Sequence, residues 1–395
     1  MSFKHVPFSA LERWSALAGL DLCAVQSPVV TLSEDIARLT SWQAAGRAGE
    51  LSYMLRDGDL LGVPLKLLPS ARSLVSFAVF YDRGPGASGP LPKGFGRVAR
   101  YAWGRDYHKV LKKALRRFVE AAERELGRTI EARVFSDAVP LLERAAARAS
   151  GLGFVGKNTM LIRSGGLGSF FFIAEVLWDI AVEPMPEGQR SEGGCGACSR
   201  CLTSCPTGAF VEPYVLDARR CLSYLTIEKR SSLSLGERKA LGEWLFGCDI
   251  CQDVCPFNAH ALKQEAAPSI PELCQEEGVG PVINLAQVLK LRTDAQFRSR
   301  FEGTALMRAT RPGLLRNAAV VSANTQSEST SEALREALSD SSDLVRSHAL
   351  WAILTLGENC NALPKSVMRE ILSHAERDPS EIVREEARLW SQVHE

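Results

Sequence analysis

The 395-residue sequence has no long hydrophobic run. Its longest apolar stretch, Phe170 to Trp178, is interrupted by Glu175 and falls far short of the roughly 20 residues of a membrane-spanning helix. The start, Met1-Ser-Phe-Lys-His-Val-Pro-Phe8, lacks an apolar core and a twin arginine, so no export signal is expected and the expected location is cytoplasmic. Net charge is nearly absent too: 47 Lys and Arg stand against 46 Asp and Glu, leaving +1. Charge can therefore guide a partner only where it is locally clustered. The hydrophobic fraction, 46%, is that of an ordinary globular protein, and the length suits two or three domains with their own cores.

Cysteine is what the chain concentrates. Seven of its eleven cysteines lie in two tight runs. The first is Cys195-Gly-Ala-Cys198-Ser-Arg-Cys201-Leu-Thr-Ser-Cys205-Pro206; the second is Cys248-Asp-Ile-Cys251-Gln-Asp-Val-Cys255-Pro256, and Cys221 lies between them. The first run has the bacterial ferredoxin spacing, in which the cysteine before proline serves the other cluster. Cys195, Cys198 and Cys201 are thus expected to hold one [4Fe–4S] cluster with Cys255. Cys205, Cys248 and Cys251 are one ligand short for a second, and Cys221 is the available donor. Zinc is the competing reading, but zinc knuckles pair two short C-x₂-C units and rarely carry both Cys-Pro endings. Disulfides are disfavoured by the missing export signal. Cys23, Cys274 and Cys360 read as buried small hydrophobes.

Residues 1–190 alternate strand-like and helical patterns. Leu22–Val25, Ser73–Tyr81 and Ile130–Phe135 read as strands, and Ser33–Ala48, Glu50–Leu61, Asp106–Leu126 and Pro140–Ser150 as helices. Met160–Arg163 and Ser169–Val176 read as a hairpin across a glycine-rich turn. These patterns predict an α/β domain with a mixed sheet. A Pro- and Gly-rich linker at 183–194 leads into the cysteine-rich segment. Beyond Pro256 the chain turns helical, and Leu315-Arg316-Asn-Ala-Ala, Val345-Arg346-Ser-His-Ala and Val383-Arg384-Glu-Glu-Ala share a pattern resembling HEAT-type repeats.

Three further features bear on chemistry. Gly151-Leu-Gly-Phe-Val-Gly156-Lys157-Asn158 matches two phosphate-loop patterns, but a helix precedes it and a strand follows, the reverse of what those loops need. Asn158 also stands where a nucleotide loop places Ser or Thr for magnesium. Nucleotide binding is rejected, and the glycines are expected to give close approach to something flat or bulky. Asp137 lies at a strand-to-helix junction, where the chemistry alone favours a helix cap over a site residue. Finally, Lys93 to Phe118 carries nine Lys and Arg against Asp106, either a field suited to polyphosphates or a solvated helix face.

Several blocks together resemble the epoxyqueuosine reductase family. They are Leu67-Leu-Pro-Ser-Ala-Arg-Ser73, Tyr101-Ala-Trp-Gly-Arg-Asp-Tyr-His108, Ser136-Asp137 with Glu143-Arg144, Gly151 to Asn158, the eight cysteines, Cys221-Leu-Ser-Tyr-Leu-Thr-Ile-Glu228, and Gly303-Thr-Ala-Leu-Met-Arg308 before Gly313-Leu-Leu-Arg-Asn317. The resemblance implies an α/β plus α architecture: a mixed-sheet cobalamin-binding domain at 1–190, a ferredoxin-like domain with two [4Fe–4S] clusters at 191–265, and a HEAT-like helical domain contacting tRNA at 266–395. It implies base-off cobalamin along Leu161, Ile173, Ser223, Cys251 and Gln252; no Asp-x-His-x-x-Gly segment is present to supply a lower histidine. It further implies Asp137 as proton donor, an external electron donor, and a monomer acting on tRNA with a queuosine-type anticodon (Asp, Asn, His and Tyr acceptors). Leu61 stands where the family tends to carry Arg. The alternatives are a cobalamin-dependent reductive dehalogenase, a non-catalytic ferredoxin-type carrier and an inactive tRNA-binding protein.

Overall fold

The computed structural model describes residues 5–81, 89–137, 139–263 and 267–394. The chain packs as two compact units, one of residues 1–85, 103–219 and 249–278, the other of 86–102, 220–248 and 279–395. This division cuts across the three consecutive segments expected from the sequence, because the cysteine-rich stretch is shared. The expected boundary at 265–266 and residues 1–4 of the start lie outside the described residues.

The first unit is built on a four-stranded sheet in the order Leu22–Gln26, Ser73–Phe80, Phe171–Trp178, Ala132–Phe135. All its pairings are antiparallel, so the expected mixed sheet is corrected. The apolar run at Ser73 to Phe80 reflects burial on both faces rather than strand direction. Helices Phe8–Ala18 and Tyr107–Leu126 cover one face, where Trp14, Phe77, Phe118 and Trp178 meet edge-on or tilted. Helix Glu143–Ser150 covers the other, over Leu74, Phe135 and Leu177.

The Tyr107–Leu126 helix follows its predicted stripe: Leu111, Ala114, Leu115, Phe118 and Ala122 are buried, Asp106 caps the start and left-handed Gly127 ends it. The expected helix at Glu50–Leu61 is instead a 3₁₀ turn, Ser52–Leu55, and a short helix, Gly58–Gly62, whose start Asp57 caps. The expected hairpin also divides. Leu161–Ile162 pairs with Phe154–Val155 and Phe171–Trp178 joins the central sheet, leaving only an Arg163–Gly168 bridge at the turn.

In the second unit, Phe95–Val98 lies between Trp244–Phe246, parallel to it, and Val282–Asn284, antiparallel. Helices Thr310–Asn324, Asp343–Cys360 and Glu381–His394 pack in succession, with Ser331–Ala337 and Lys365–Ala375 between them in sequence. The repeated motifs place Leu315, Val345 and Val383 in the core. Arg346 pairs with Asp378 at 2.7 Å and bonds the Asp340 carbonyl, while Arg384 bonds the Asp378 carbonyl. Each Arg thus ties down the Asp-containing turn ahead of its own helix. Arg316, fully buried, is satisfied by the carbonyls of Leu225, Lys229 and Ser231. Among the described residues no helix is long and apolar enough to cross a membrane.

Candidate functional site

Asp137 sits just beyond strand Ala132–Phe135, in a left-handed conformation (φ 54°) uncommon for a residue with a side chain. It caps no helix: the following helix starts at Glu143, behind Leu142. Two contacts hold it instead. Its main-chain N–H donates to Glu143 Oε1 at 2.5 Å, and its carboxylate Oδ2 accepts from the Tyr107 hydroxyl at 2.9 Å. His108 Nε2 lies 3.8 Å from the same oxygen, while His108 Nδ1 is held by Asp106 at 2.7 Å. Tyr107 is fixed by stacking on Phe172, with centroids 4.3 Å apart. The Asp137 side chain remains 67% exposed, so a carboxylate on a well-held backbone points into open space.

The groups behind Asp137 are poised differently. Glu143 is half-buried, and desolvation, aided by the Asp137 charge, pushes its carboxyl up to about 8. Glu175, on the central strand, is fully buried; Ser76 donates to its Oε1 at 3.1 Å, while Oε2 has no hydrogen-bond partner among the described residues. Burial, with the Glu143 charge, holds it well above the usual carboxylate range. Arg144 donates to the Thr159 carbonyl at 2.7 Å. Desolvation pulls its guanidinium below the usual range, yet its side chain still reaches solvent.

In the same unit, Cys195, Cys198, Cys201 and Cys255 come together. Burial pushes the Cys201 and Cys255 thiols up; neighbouring Cys195 and Cys255 add to the first, Cys195 and Cys198 to the second. Phe154, Ile162 and Phe257 pack an apolar wall against Cys195 and Cys255. The Gly151–Asn158 loop serves this site. Lys157 N–H points at Cys195 Sγ (3.3 Å), and Lys157 Nζ donates to the carbonyls of Gly196 and Cys198 at 2.7 and 2.9 Å. Asn158 donates to the Cys251 carbonyl at 3.3 Å. The close partner of the glycines is thus the chain itself: a Cβ on Gly153 would lie 2.6 Å from the Ile162 carbonyl oxygen. Cys205 Sγ accepts from the Ala209 N–H at 3.3 Å. Such N–H···S contacts are those that tune cluster thiolates. Among the described residues no group of three His, Cys, Asp or Glu is gathered to hold a single metal ion.

Cys221 and Cys248 belong to the second unit. Cys221 precedes helix Leu222–Ile227, and Cys248 follows strand Trp244–Phe246. The two segments are tied by Gly247 N–H donating to Thr226 Oγ1 at 2.9 Å, and by Asn317 Nδ2 donating to the carbonyls of Thr226 and Leu245. Gly247 is left-handed (φ 70°), and a Cβ there would meet Ala99 Cβ at 2.5 Å.

The remaining expected residues are scattered between packing and polar roles. Leu161 is buried. Ile173 is half-buried, its carbonyl accepting from Ser136 Oγ at 2.7 Å. Ser223 is half-buried in the second unit. Gln252 is buried, its amide donating to the Ser169 carbonyl and hydroxyl at 3.0 Å. Leu61 is a core residue whose carbonyl accepts from Leu142 N–H. Cys23 is buried, as expected, with its thiol pushed up to about 11; Cys274 and Cys360 are only half-buried. Within the basic segment, Arg100 is buried and Arg97 pairs with Glu243, so the exposed cations are Lys93 and those from Arg105 onward.

A family model for a 4Fe-4S double cluster binding domain matches residues 194–258, spanning all eight cysteines. Another, described as epoxyqueuosine reductase QueG, DUF1730, matches residues 63–138. The epoxyqueuosine reductase of Xanthomonas campestris pv. campestris is 38% identical over 344 residues, 86% of this chain and 93% of its own. The chain belongs to the epoxyqueuosine reductase family. It is, with that family, an oxidoreductase. The epoxyqueuosine reductase of Pseudomonas aeruginosa is 37% identical over 354 residues, covering 88% and 94% of the two chains. A crystal structure of an epoxyqueuosine reductase with a tRNA-Tyr epoxyqueuosine-modified stem loop superposes with a TM-score of 0.83, at 27% identity over 96% of each chain. Tyr107, Glu143 and Lys157 are the site residues whose roles sequence reasoning missed. Their signal was present: Tyr107 opens the clearest helix, and Lys157 ends a glycine loop ahead of the cysteines.

Proposed function

We propose that this oxidoreductase reduces epoxyqueuosine to queuosine at the wobble position of tRNA, with cobalamin and two [4Fe–4S] clusters, in the cytoplasm and as a monomer. The observation that carries the reading is Asp137: an exposed carboxyl whose backbone is held by Glu143 and whose side chain is held by Tyr107. The relatives' name and the stem loop seen with one of them support the choice of substrate.

One cluster would be held by Cys195, Cys198, Cys201 and Cys255, the other by Cys205, Cys221, Cys248 and Cys251. They supply single-electron relays from an external donor. The second cofactor is cobalamin; Ile173 and Ser223 are half-buried, so both keep side-chain surface that could meet it. Leu161, Ile173, Ser223, Cys251 and Gln252 would line it. Cobalamin, when bound, supplies the low-potential nucleophilic metal that an epoxide reduction needs.

The epoxide takes up two electrons and two protons; its two C–O bonds break, an alkene remains and the oxygen leaves as water. Asp137 donates a proton to that oxygen as it departs. Tyr107 orients the Asp137 carboxyl, and Glu143 fixes the backbone that carries it. The C-terminal helices, read as HEAT-type repeats, help grip the tRNA. Expression in a host lacking its own epoxyqueuosine reductase tests the assignment: queuosine should return to the host tRNA, and should not with Asp137→Asn. Persistent epoxyqueuosine with the intact, soluble chain would refute the reading.

A further inference from the structure

Helix Tyr107–Leu126 carries Lys109, Lys112, Lys113 and Arg116 on one solvent-facing strip, at positions three, four and seven residues along. Arg105 is exposed just ahead of it. None of these cations forms an ion pair or hydrogen bond among the described residues. The nearby Asp106 is taken by His108 and the cap. On the C-terminal half, Glu123 accepts from the Ile130 N–H, and Glu125 is taken by Arg13 and Trp14. Glu120, one turn beyond Arg116, is the acid that shares the strip.

This arrangement works against the helix. Cations in the first turns oppose the helix dipole, and like charges at i, i+3 and i, i+4 repel. Lys109 faces Lys112 and Lys113, and Arg116 faces both of these. A merely solvated helix face would mix the signs or place acids first, so fold stability does not account for the strip. A polyanion does: phosphates relieve the repulsion, and the helix N-terminus adds to their attraction. The same helix begins at Tyr107 and His108, beside Asp137, so a chain of phosphates along the strip leads to the candidate acid.

We propose that this strip is a tRNA backbone contact, with Lys109, Lys112, Lys113 and Arg116 meeting successive phosphates of the strand that delivers the modified nucleoside to Asp137. The proposal rests on the tRNA reading above. An acidic redox protein is the rival occupant, but it must reach the cysteine loops, which are clamped by Lys157 and Asn158 and not by this helix.

The test is equilibrium binding of a fluorescent, epoxyqueuosine-modified anticodon stem loop across a salt series, with reconstituted wild-type enzyme, Lys112→Gln/Lys113→Gln, and the fourfold Gln variant. Each lost phosphate contact should flatten the log–log salt slope by about 0.7 to 0.9, so about 1.4 to 1.8 for the double variant. Affinity at low salt should fall at least tenfold, and the melting temperature should hold or rise as repulsion is removed. Unchanged slope and affinity would overturn the proposal. So would unchanged RNA binding with loss of cluster reduction by an acidic ferredoxin or flavodoxin, which would give the strip to the electron donor. Absence of binding by the wild-type enzyme would refute the tRNA reading itself, and the proposal with it.

Discussion

Replacing Glu143 with Ala removes the acceptor that holds Asp137 in its left-handed turn, and the structure sets the size of the effect. The left-handed backbone costs about 1 to 2 kcal/mol, which local contacts must offset. With Glu143 present, the Asp137 N–H is bonded at 2.5 Å. Without it, the N–H turns to water and the net hydrogen bond is lost, at about 0.5 to 1.5 kcal/mol. The Tyr107 bond restrains the carboxyl but not the backbone. The productive conformer should therefore become roughly two- to tenfold rarer, and kcat should fall by the same factor at about 1.4 kcal/mol per decade. Glu143→Gln keeps an oxygen acceptor, and a protonated Glu143 resembles it, so turnover at neutral pH should stay within about threefold of wild type. Single-turnover reduction of a saturating modified stem loop, with cobalamin content checked by absorbance, reads this directly. Wild-type rates for Glu143→Ala, or equal damage from Ala and Gln, would refute the latch.

Other consequences follow from the same geometry. Because the Glu143 carboxyl is raised to about 8, its stabilising contribution is complete below its ordinary value of 4.5 and is lost as pH climbs toward 8; melting temperatures should fall across that window, and less so for Glu143→Gln. Cys255→Ser should cost one cluster of two, lowering iron from about eight toward about four per chain after anaerobic reconstitution; unchanged iron would contradict the ligand set. Lys157→Met removes two charge-assisted bonds to the cysteine loop, so cluster absorbance should bleach several-fold faster in air. The buried Arg238–Glu386 pair, bonded at 2.7 and 2.6 Å, should make Glu386→Ala one of the most damaging changes in the second unit, at about 3 to 5 kcal/mol by urea unfolding.

The cysteine spacing, the amphipathic Tyr107–Leu126 helix and the buried strand at Ser73 to Phe80 were legible because each is a local pattern with a direct physical cause. Strand direction was not, since a two-sided apolar run reports burial alone. Nor was the fate of the Leu161–Ile162 arm, which pairs backward with Phe154–Val155 through contacts that a hairpin pattern does not encode. The helix ahead of the glycine loop was legible, but the role of Lys157 depends on where the cysteine loop folds. Asp137 looked like a cap because most junction aspartates are; only its left-handed backbone and the Glu143 and Tyr107 contacts distinguish it. The Cα packing also crosses the sequence order, joining residues 86–102 to the C-terminal helices, which no composition shift announces.

The central claim is tested most directly by nucleoside mass spectrometry of tRNA incubated anaerobically with the reconstituted enzyme, cobalamin and a reductant. The account predicts loss of epoxyqueuosine with matching gain of queuosine, dependent on cobalamin and abolished or severely slowed by Asp137→Asn. Persistence of epoxyqueuosine with both clusters and cobalamin spectroscopically in place would contradict it, and full turnover by Asp137→Asn would remove its proton donor.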